Sequence, residues 1–467
     1  KPLFQLAIVI FLLGSVLSGL SQSMLQLILF RALQGLGAGG LMALAQAIIG
    51  DILSPRERGR YQGYIGSVFA FSSVVGPLLG GLFVDHLSWR WVFYVNVPIG
   101  AIALVVTSIV LKLPVRRRQH SIDYIGSALL VLGIGALLLM TSWGGSEYAW
   151  DSPQILALGI GGALAILAFL WQETRAAEPV LPLRLFRERT FAVGSGLGMV
   201  VGLAMFGSIA FLPVYFQVVR NASATESGLR MVPMMFGIVS MSIISGRLIT
   251  KTGKYRIFPI VGTAVMAVGM LLITRMGTDA GQLQTAVSLL VLGVGVGMVM
   301  QVIVLAVQNA APPGDLGIAT AGVNLFRSMG SAFGVAIFGA ILANRLDVEL
   351  AKHVPADALQ GIDAATLTSS PERLAALPPA VHDGVILAFS NSLHVVFLCA
   401  LPVVLIGFGL TWLLREQPLR TGPLQGGPTT GEEKQPAQVG APAALGRPVE
   451  AEPRFGDGTP EPVPSLH

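Results

Sequence analysis

Gly35, Gly37, Gly39 and Gly76 recur as Gly293, Gly295, Gly297 and Gly334, a constant offset of 258 positions (293 − 35 = 258), and both sets lie within long apolar runs. In hydrocarbon a chain must satisfy its backbone N–H and C=O groups internally, so such runs fold as helices. Glycines at a fixed spacing let neighbouring helices approach closely. The offset therefore predicts two related helical halves built on the same glycine-bearing helices.

Apolar runs of about 20 residues span a bilayer, and the chain contains twelve of them. They lie near Leu3 to Leu20, Met24 to Ile49, Gly63 to Val84, Trp91 to Leu111, Tyr124 to Trp143, Ile155 to Trp171, Phe191 to Phe216, Gly228 to Leu248, Phe258 to Thr274, Ala286 to Val307, Gly317 to Leu342 and Val385 to Leu414. Hydrophobic residues make up 53% of the chain and charged residues 12%, against roughly 25% charged in a soluble domain. The fold expected is an all-α polytopic membrane protein. Six spans follow the basic loop Arg187 to Arg189, starting near Phe191. Because 191 − 258 = −67, equal halves place the start of the first half about 67 residues before Lys1, so the first half is expected to lack two helices here. The expected organisation is a four-span N-terminal half (1–118), a pair of linker helices (119–190), a six-span C-terminal half (191–416) with an outer loop (344–384), and a disordered cytoplasmic tail (417–467). That tail is rich in Pro, Gly, Glu and Gln and poor in large apolar residues, which leaves it nothing to pack. Lys1 ahead of an apolar run imitates a secretory signal, but eleven further spans make that reading untenable.

Cytoplasmic loops carry the excess of Lys and Arg, and the bases cluster at Arg56, Arg58 and Arg60, at Lys112 and Arg116 to Arg118, at Arg175, Arg184, Arg187 and Arg189, and at Arg247, Lys251, Lys254 and Arg256. The loops between these clusters are poor in base, so the clusters face the cytoplasm of a cell (inner) membrane and the C-terminus returns to that side. The net charge of +5 is thus a topological signal, with no nucleic-acid partner implied. Cys399 is the only cysteine, which excludes an intramolecular disulfide. No GxxxxGK[ST] phosphate loop is present, which argues against ATP-driven chemistry. Neither a cofactor nor an enzymatic activity is expected, and the chain is expected to be monomeric.

Arg31 lies inside the second span in LILFRALQGLGAGG, with Gln34, Gly35 and Gly39. An intramembrane arginine faces a cavity or a partner, which makes it a coupling candidate; bonding to backbone carbonyls of a broken helix is the alternative. Its repeat position is Leu289, so structural symmetry alone does not require the charge. The third span reads GYIGSVFAFSSVVGPLLGG, with Gly76, Pro77, Gly80 and Gly81. A proline in a helix interior removes one hydrogen bond and bends the helix. Small flanking residues flatten one face, and the expectation is a close, bent contact between the two halves. Arg327 beside Asn324 is a second buried charge. No Asp or Glu lies in the middle of a span; His394 is the one intramembrane group whose ordinary pKa lies near neutrality, although a lone helical histidine more often simply packs.

The third-span run resembles the antiporter motif of the major facilitator superfamily, G(x)8G(x)3GP(x)2GG, with Ser72 in place of its second glycine. LILFRALQGLGAGG resembles the arginine-bearing motif of the same superfamily. WRWVFYVNVPIG from Trp89 resembles a signature of its 14-span drug:proton antiporter branch (EmrB/QacA-like), as do EPVLPLRLF from Glu178 and FLPVYFQVV from Phe211. The resemblance implies a major facilitator fold of two pseudo-symmetric halves with two linker helices between them. It also implies a proton-carrying carboxylate in a first helix, and a GxLaDrxGrk gating loop that survives here as Gly246, Leu248, Gly253 and Arg256 with Thr250 at the aspartate position.

Internal repeats of this kind place a substrate site near the bilayer midplane between the halves. Gln46, Asn96, Tyr215, Gln217, Gln301 and Asn324 are the candidate cavity residues, in company with methionines that suit promiscuous packing. The function expected is proton-coupled export of hydrophobic or amphipathic small molecules, as in multidrug efflux, with the lipid bilayer as the other partner. Two alternatives stand beside it: a dedicated exporter of an endogenous lipid, siderophore or antibiotic, and a transport-inactive scaffold or sensor.

Overall fold

The computed structural model describes residues 1–53, 55–111, 123–145, 147–355 and 378–419. Within them, eleven helices are long and apolar enough to cross a membrane. The N-terminal set comprises α1 (Pro2–Leu20), α2 (Met24–Ile52), α3 (Pro55–His86), a short α4 (Trp91–Tyr94) and α5 (Asn96–Val110). The 32-residue α3 is not one of the eleven, though it covers the third expected span and runs as one helix through Pro77. An antiparallel pair follows, α6 (Tyr124–Trp143) and α7 (Pro153–Glu173), each started by a side-chain cap: Asp123 accepts from the Gly126 N–H and Ser152 from the Ile155 N–H. These caps satisfy N–H groups that a helix leaves without partners.

The seventh expected span, Phe191 to Phe216, is interrupted. Helix α8 (Arg189–Ile209) stops before Pro213; α9 (Leu212–Val214) and a π-helical turn (Tyr215–Val219) carry the chain on. Proline cannot donate the next backbone bond, and a π turn absorbs the misfit. Next come α10 (Ala224–Arg230), α11 (Val232–Thr252), α12 (Ile257–Thr274), α13 (Gln282–Ala310), α14 (Leu316–His353) and α15 (Pro379–Trp412). The outer loop expected over 344–384 is shorter than its sequence suggests, because α14 continues to His353 and α15 begins at Pro379. Residues 356–377 lie outside the described residues, as does the expected tail from 420.

The 258-residue offset survives as architecture: α2 shifted by 258 starts at Gln282 and ends at Ala310, the printed bounds of α13. Helix α1 packs on α2 as α12 packs on α13. Both pairs close on glycine. A β-carbon at Gly37 would collide with the Phe11 backbone, and one at Gly295 would lie 2.5 Å from the Met266 N. Elsewhere the halves differ, since 83% of the apolar window of α13 is buried against 11% for α2. Helix α3 packs chiefly on α10, α11 and α13, and α2 crosses α14. Helices α6 and α7 pair with each other, and α6 leans on α14.

At the end of α15 the chain is strapped down. The Arg256 Nη2 donates to Trp412 O at 2.8 Å and the Tyr255 N–H to Glu416 Oε1 at 3.0 Å, while the Gln417 N–H donates to Tyr255 Oη at 2.9 Å. Leu414 is buried among Ile249, Tyr255, Phe258 and Met298. Burial, as the largest influence, holds the Tyr255 phenol above its ordinary pKa, so it stays a neutral hydrogen-bonding group. The ordered chain therefore runs past Glu416, where the tail was expected to begin.

The contrast between Gly37 and Gly35, which meets nothing within 4 Å, yields a paired test. Gly37→Ala forces the α1 and α2 backbones apart and is expected to destabilise by about 1–3 kcal/mol. Gly35→Ala is expected to leave the melting temperature unchanged or raise it, since Ala is the better helix former. Thermal unfolding of both variants in detergent, with equal shifts, would contradict this packing.

Candidate functional site

Three buried polar groupings lie inside the helical body. In the first, Arg31 Nη1 donates to Gln34 Oε1 at 2.6 Å, one helical turn along α2, and Gln34 Nε2 donates to Ser15 Oγ of α1 at 2.8 Å. Asn96 Nδ2 of α5 donates to the same Ser15 oxygen at 3.0 Å, and the hydroxyl itself donates to Phe93 O at 2.9 Å. A hydroxyl has one proton and two lone pairs; Ser15 uses all three. The Arg31 guanidinium also stands over the Phe93 ring, 5.8 Å from its centroid. Gln34 and Ser15 are buried whereas Arg31 reaches the protein surface. Its charge is thus held by the neutral Gln34 amide of α2 and the Phe93 ring of α4 rather than by backbone carbonyls of a broken helix: α2 is continuous from Met24 to Ile52.

The second grouping lies where α2 crosses α14. Asn324 Nδ2 donates to Gln46 Oε1 at 3.2 Å, and one turn away Arg327 Nη2 stands 3.9 Å from Met42 Sδ. Gln46 is 1% exposed and Arg327 8%. Gln46 Nε2, Asn324 Oδ1 and Arg327 Nη1 are buried without a hydrogen-bond partner.

The third joins α3, α11 and α13. β-carbons placed at Gly63 and Gly66 would each lie 2.8 Å from Ser242, from its carbonyl oxygen and its hydroxyl respectively, and Gly66 also abuts Gln301 Cγ. Ser242 Oγ donates to Gly297 O at 3.3 Å. Both polar atoms of the Gln301 amide are buried and unpartnered.

The structure brings Arg31, Gln34 and Asn96 together, and separately Gln46, Asn324 and Arg327. Other expected residues fall elsewhere. The close contacts of α3 with the C-terminal helices are made by Gly63, Gly66 and Gly81, whose β-carbon would lie 3.0 Å from Thr225 N; Gly76 and Gly80, expected to make them, meet nothing within 4 Å. Gly39 is equally open, whereas its repeat mate Gly297 abuts Ile238 O and the mate of Gly76, Gly334, abuts the Leu203 backbone of α8. The Pro77 ring lies outside the described side chains. His394 does not enter either cluster: its Nδ1 is 2.6 Å from Thr274 O at the end of α12, where the ring N–H donates to a carbonyl. Tyr215 Oη donates to Gly277 O at 2.8 Å, with Gln217 half-buried on the same π turn, so both sit apart from the Gln46 and Arg327 crossing. Asn96 serves the Arg31 network and not a cavity wall. Ser15 was missed by sequence reasoning, although Ser15 and Ser18 of α1, with Ser21 just past its end, repeat every third residue and could have flagged one polar face.

With this geometry in view, the sequence matches the Major Facilitator Superfamily over residues 1–335. The chain belongs to that superfamily. Its relatives include the MFS-type transporter Rv1877 of Mycobacterium tuberculosis, 45% identical over 413 residues, 88% of this chain and 60% of the relative. Two Bacillus subtilis proteins are also similar. The multidrug transporter protein MdtP is 39% identical over 339 residues, 72% of this chain and 62% of its own length. Multidrug resistance protein 3 is 36% identical over 418 residues, 87% of this chain and 80% of its own length. The chain thus spans about 60% of the length of the first two. The crystal structure of the human organic anion transporter MFSD10 superposes with a TM-score of 0.54 at 15% identity, covering 88% of this chain and 76% of that one. An auto-inhibited POT family peptide transporter superposes with a TM-score of 0.52 at 16% identity, over 90% and 84%. These two likenesses establish the all-helical fold, and the family match makes the chain a multi-pass member of a transporter superfamily.

Ser15 carries the first cluster. Ser15→Ala leaves the buried Gln34 amide and the Phe93 carbonyl each short of a partner and is expected to destabilise by about 1–3 kcal/mol. A melting temperature equal to that of the unmodified chain would show that the cluster contributes nothing.

Proposed function

We propose that this chain is the transport body of a secondary active exporter of hydrophobic or amphipathic small molecules, working by alternating access in exchange for protons in the cell (inner) membrane. The observation that carries the reading is the character of the two crossings between the N-terminal and C-terminal sets of helices. Helix α3 meets α11 through Gly63, Gly66 and Ser242, and α2 meets α14 through the neutral Gln46–Asn324 bond. Contacts made of small residues, a neutral amide bond and a weak arginine–thioether contact open and close at low cost, which a rocking cycle about a central site requires. The names of the relatives, a multidrug transporter and a multidrug resistance protein, support the same substrate class. In this reading the four-span half, the α6–α7 linker pair and the six-span half correspond to twelve spans of the 6+2+6 order of the 14-span drug:proton antiporter branch. A monomer suffices for transport, and the C-terminus faces the cytoplasm.

Arg31 is assigned the coupling role. Its guanidinium rests on neutral acceptors, so a carboxylate that binds and releases a proton can pair with it or leave it without breaking an existing ion pair. In everted vesicles energised by an acidic lumen and given ethidium in the medium, the unmodified protein is expected to drive uphill uptake of the dye. Arg31→Ala is expected to reduce that transport several-fold at normal protein level. Full transport by Arg31→Ala would end the coupling assignment, and no transport by the unmodified protein would end the exporter reading.

The orientation has its own check. A green fluorescent protein fused after His467 is expected to fluoresce, since it matures only on the cytoplasmic side. A dark fusion of normal abundance would invert the topology.

A further inference from the structure

A cavity of about 520 Å³ lies between α2, α8, α13 and α14, and Arg327 is the charged group in its wall. Its other walls include Met42, Phe206, Ile209, Met300 and Val335. The volume falls within the range of roughly 300–1,000 Å³ typical of small-molecule sites.

Arg327 is over nine-tenths buried, and its Nη1 has no hydrogen-bond partner. Among the described residues the hydrogen-bond partner of Nη2 is the Met42 thioether at 3.9 Å, and a thioether sulfur is a weak acceptor. No carboxylate among the described residues is paired with this guanidinium. The neighbouring polar groups do not relieve it. Asn324 gives its amide N–H to Gln46, and Ser331 Oγ donates to the Arg327 carbonyl at 2.9 Å. A buried charge without a partner is costly, and within a membrane such a group marks a functional site.

We infer that this cavity binds an amphipathic organic anion, whose carboxylate or sulfonate is held by the two free ends of the Arg327 guanidinium while its apolar body lies against Phe206, Met42 and Met300. The planar guanidinium offers a two-pronged donor set that fits a carboxylate. Charge-assisted bonds of this kind are about twice as strong as neutral ones, so an ether or amide oxygen is a poorer fit. A small inorganic anion is a poorer fit too, because the apolar walls would strip its hydration and give nothing back. The inference rests on the exporter reading above and adds amphipathic anions as one class of ligand that its cavity holds, beside the lipophilic compounds used to test transport.

The test uses the full chain reconstituted in lipid nanodiscs, with tritiated 1-naphthaleneacetate and its neutral analogue 1-naphthaleneacetamide as probes at pH 7.5. The unmodified protein is expected to bind the acetate roughly tenfold or more tightly than the amide, as a charge pair formed in a dry site should. Arg327→Gln is expected to abolish that preference, and Arg327→Lys, which keeps the charge and loses the fork, to retain part of it. Equal affinities in the unmodified protein, no binding of either probe, or a preference that survives Arg327→Gln would each overturn the inference. Should the Gln variant fail to insert, the unmodified protein and the Lys variant still decide. Proton-driven ethidium transport by the same protein reconstituted in sealed proteoliposomes separates the two readings: transport without acetate preference removes only the anion site, and acetate preference without transport removes only the exporter.

Discussion

Helices in hydrocarbon gain little by hiding apolar side chains from lipid that is equally apolar, so they hold together where their backbones can touch. In this chain those places are glycines, and α13 is where most of them meet. Gly293, Gly295 and Gly297 turn toward α11 and α12, and Gly262 and Gly269 of α12 turn back toward α13. The outcome is a helix whose apolar window is 83% buried, against which α3, α8 and α14 also rest. The crossings that face the centre, and with them the buried amides of Gln46, Gln301 and Asn324, are positioned by this hub.

Two arginines inside the membrane-spanning region meet the problem of a charge in different ways. Arg31 is given a neutral partner, Gln34, whose amide is oriented in turn by Ser15, so charge and network stabilise one another without a carboxylate. Arg327 has a sulfur atom and an open cavity. The first arrangement is complete as it stands; the second is completed only by a further group. That difference separates a residue suited to sensing the state of a neighbour from one suited to holding cargo, and it comes from packing, since both arginines lie in the interior of long apolar helices.

Much of the fold was legible in the sequence. The apolar runs located the membrane helices to within a few residues, except where Pro213 breaks the seventh span and where α14 and α15 run on into the expected outer loop. The correspondence of α2 with α13 followed from glycine spacing alone, because close approach demands a missing side chain wherever it recurs. Less of the site was legible. Gly35, Gly39, Gly76 and Gly80 carry the same motif signal as Gly37 and Gly81, yet only the last two are used in close contacts. A motif records which side chains are small, not which helix stands opposite. His394 looked like a proton carrier and Tyr215 like a cavity group because each is polar within an apolar run, but they spend their polarity on the carbonyls of Thr274, at the end of α12, and Gly277, in the loop after it.

Sequence alone determined the fold class, the repeat, the approximate bounds of most membrane helices, and the presence of two arginines within long apolar helices, of which the structure buries Arg327 and leaves Arg31 at the surface. Those properties follow from local rules: the length of an apolar run, the absence of a side chain, and the cost of charge in hydrocarbon. Only the tertiary structure decided that Ser15 organises the Arg31 cluster, that Arg327 lacks a partner, and that Tyr255 anchors the segment after α15. Each depends on helices more than 70 residues apart in sequence, as the Ser15 to Phe93 bond does with a separation of 78. The direction in which a polar side chain points is set by the helix it meets, and no local pattern encodes that partner.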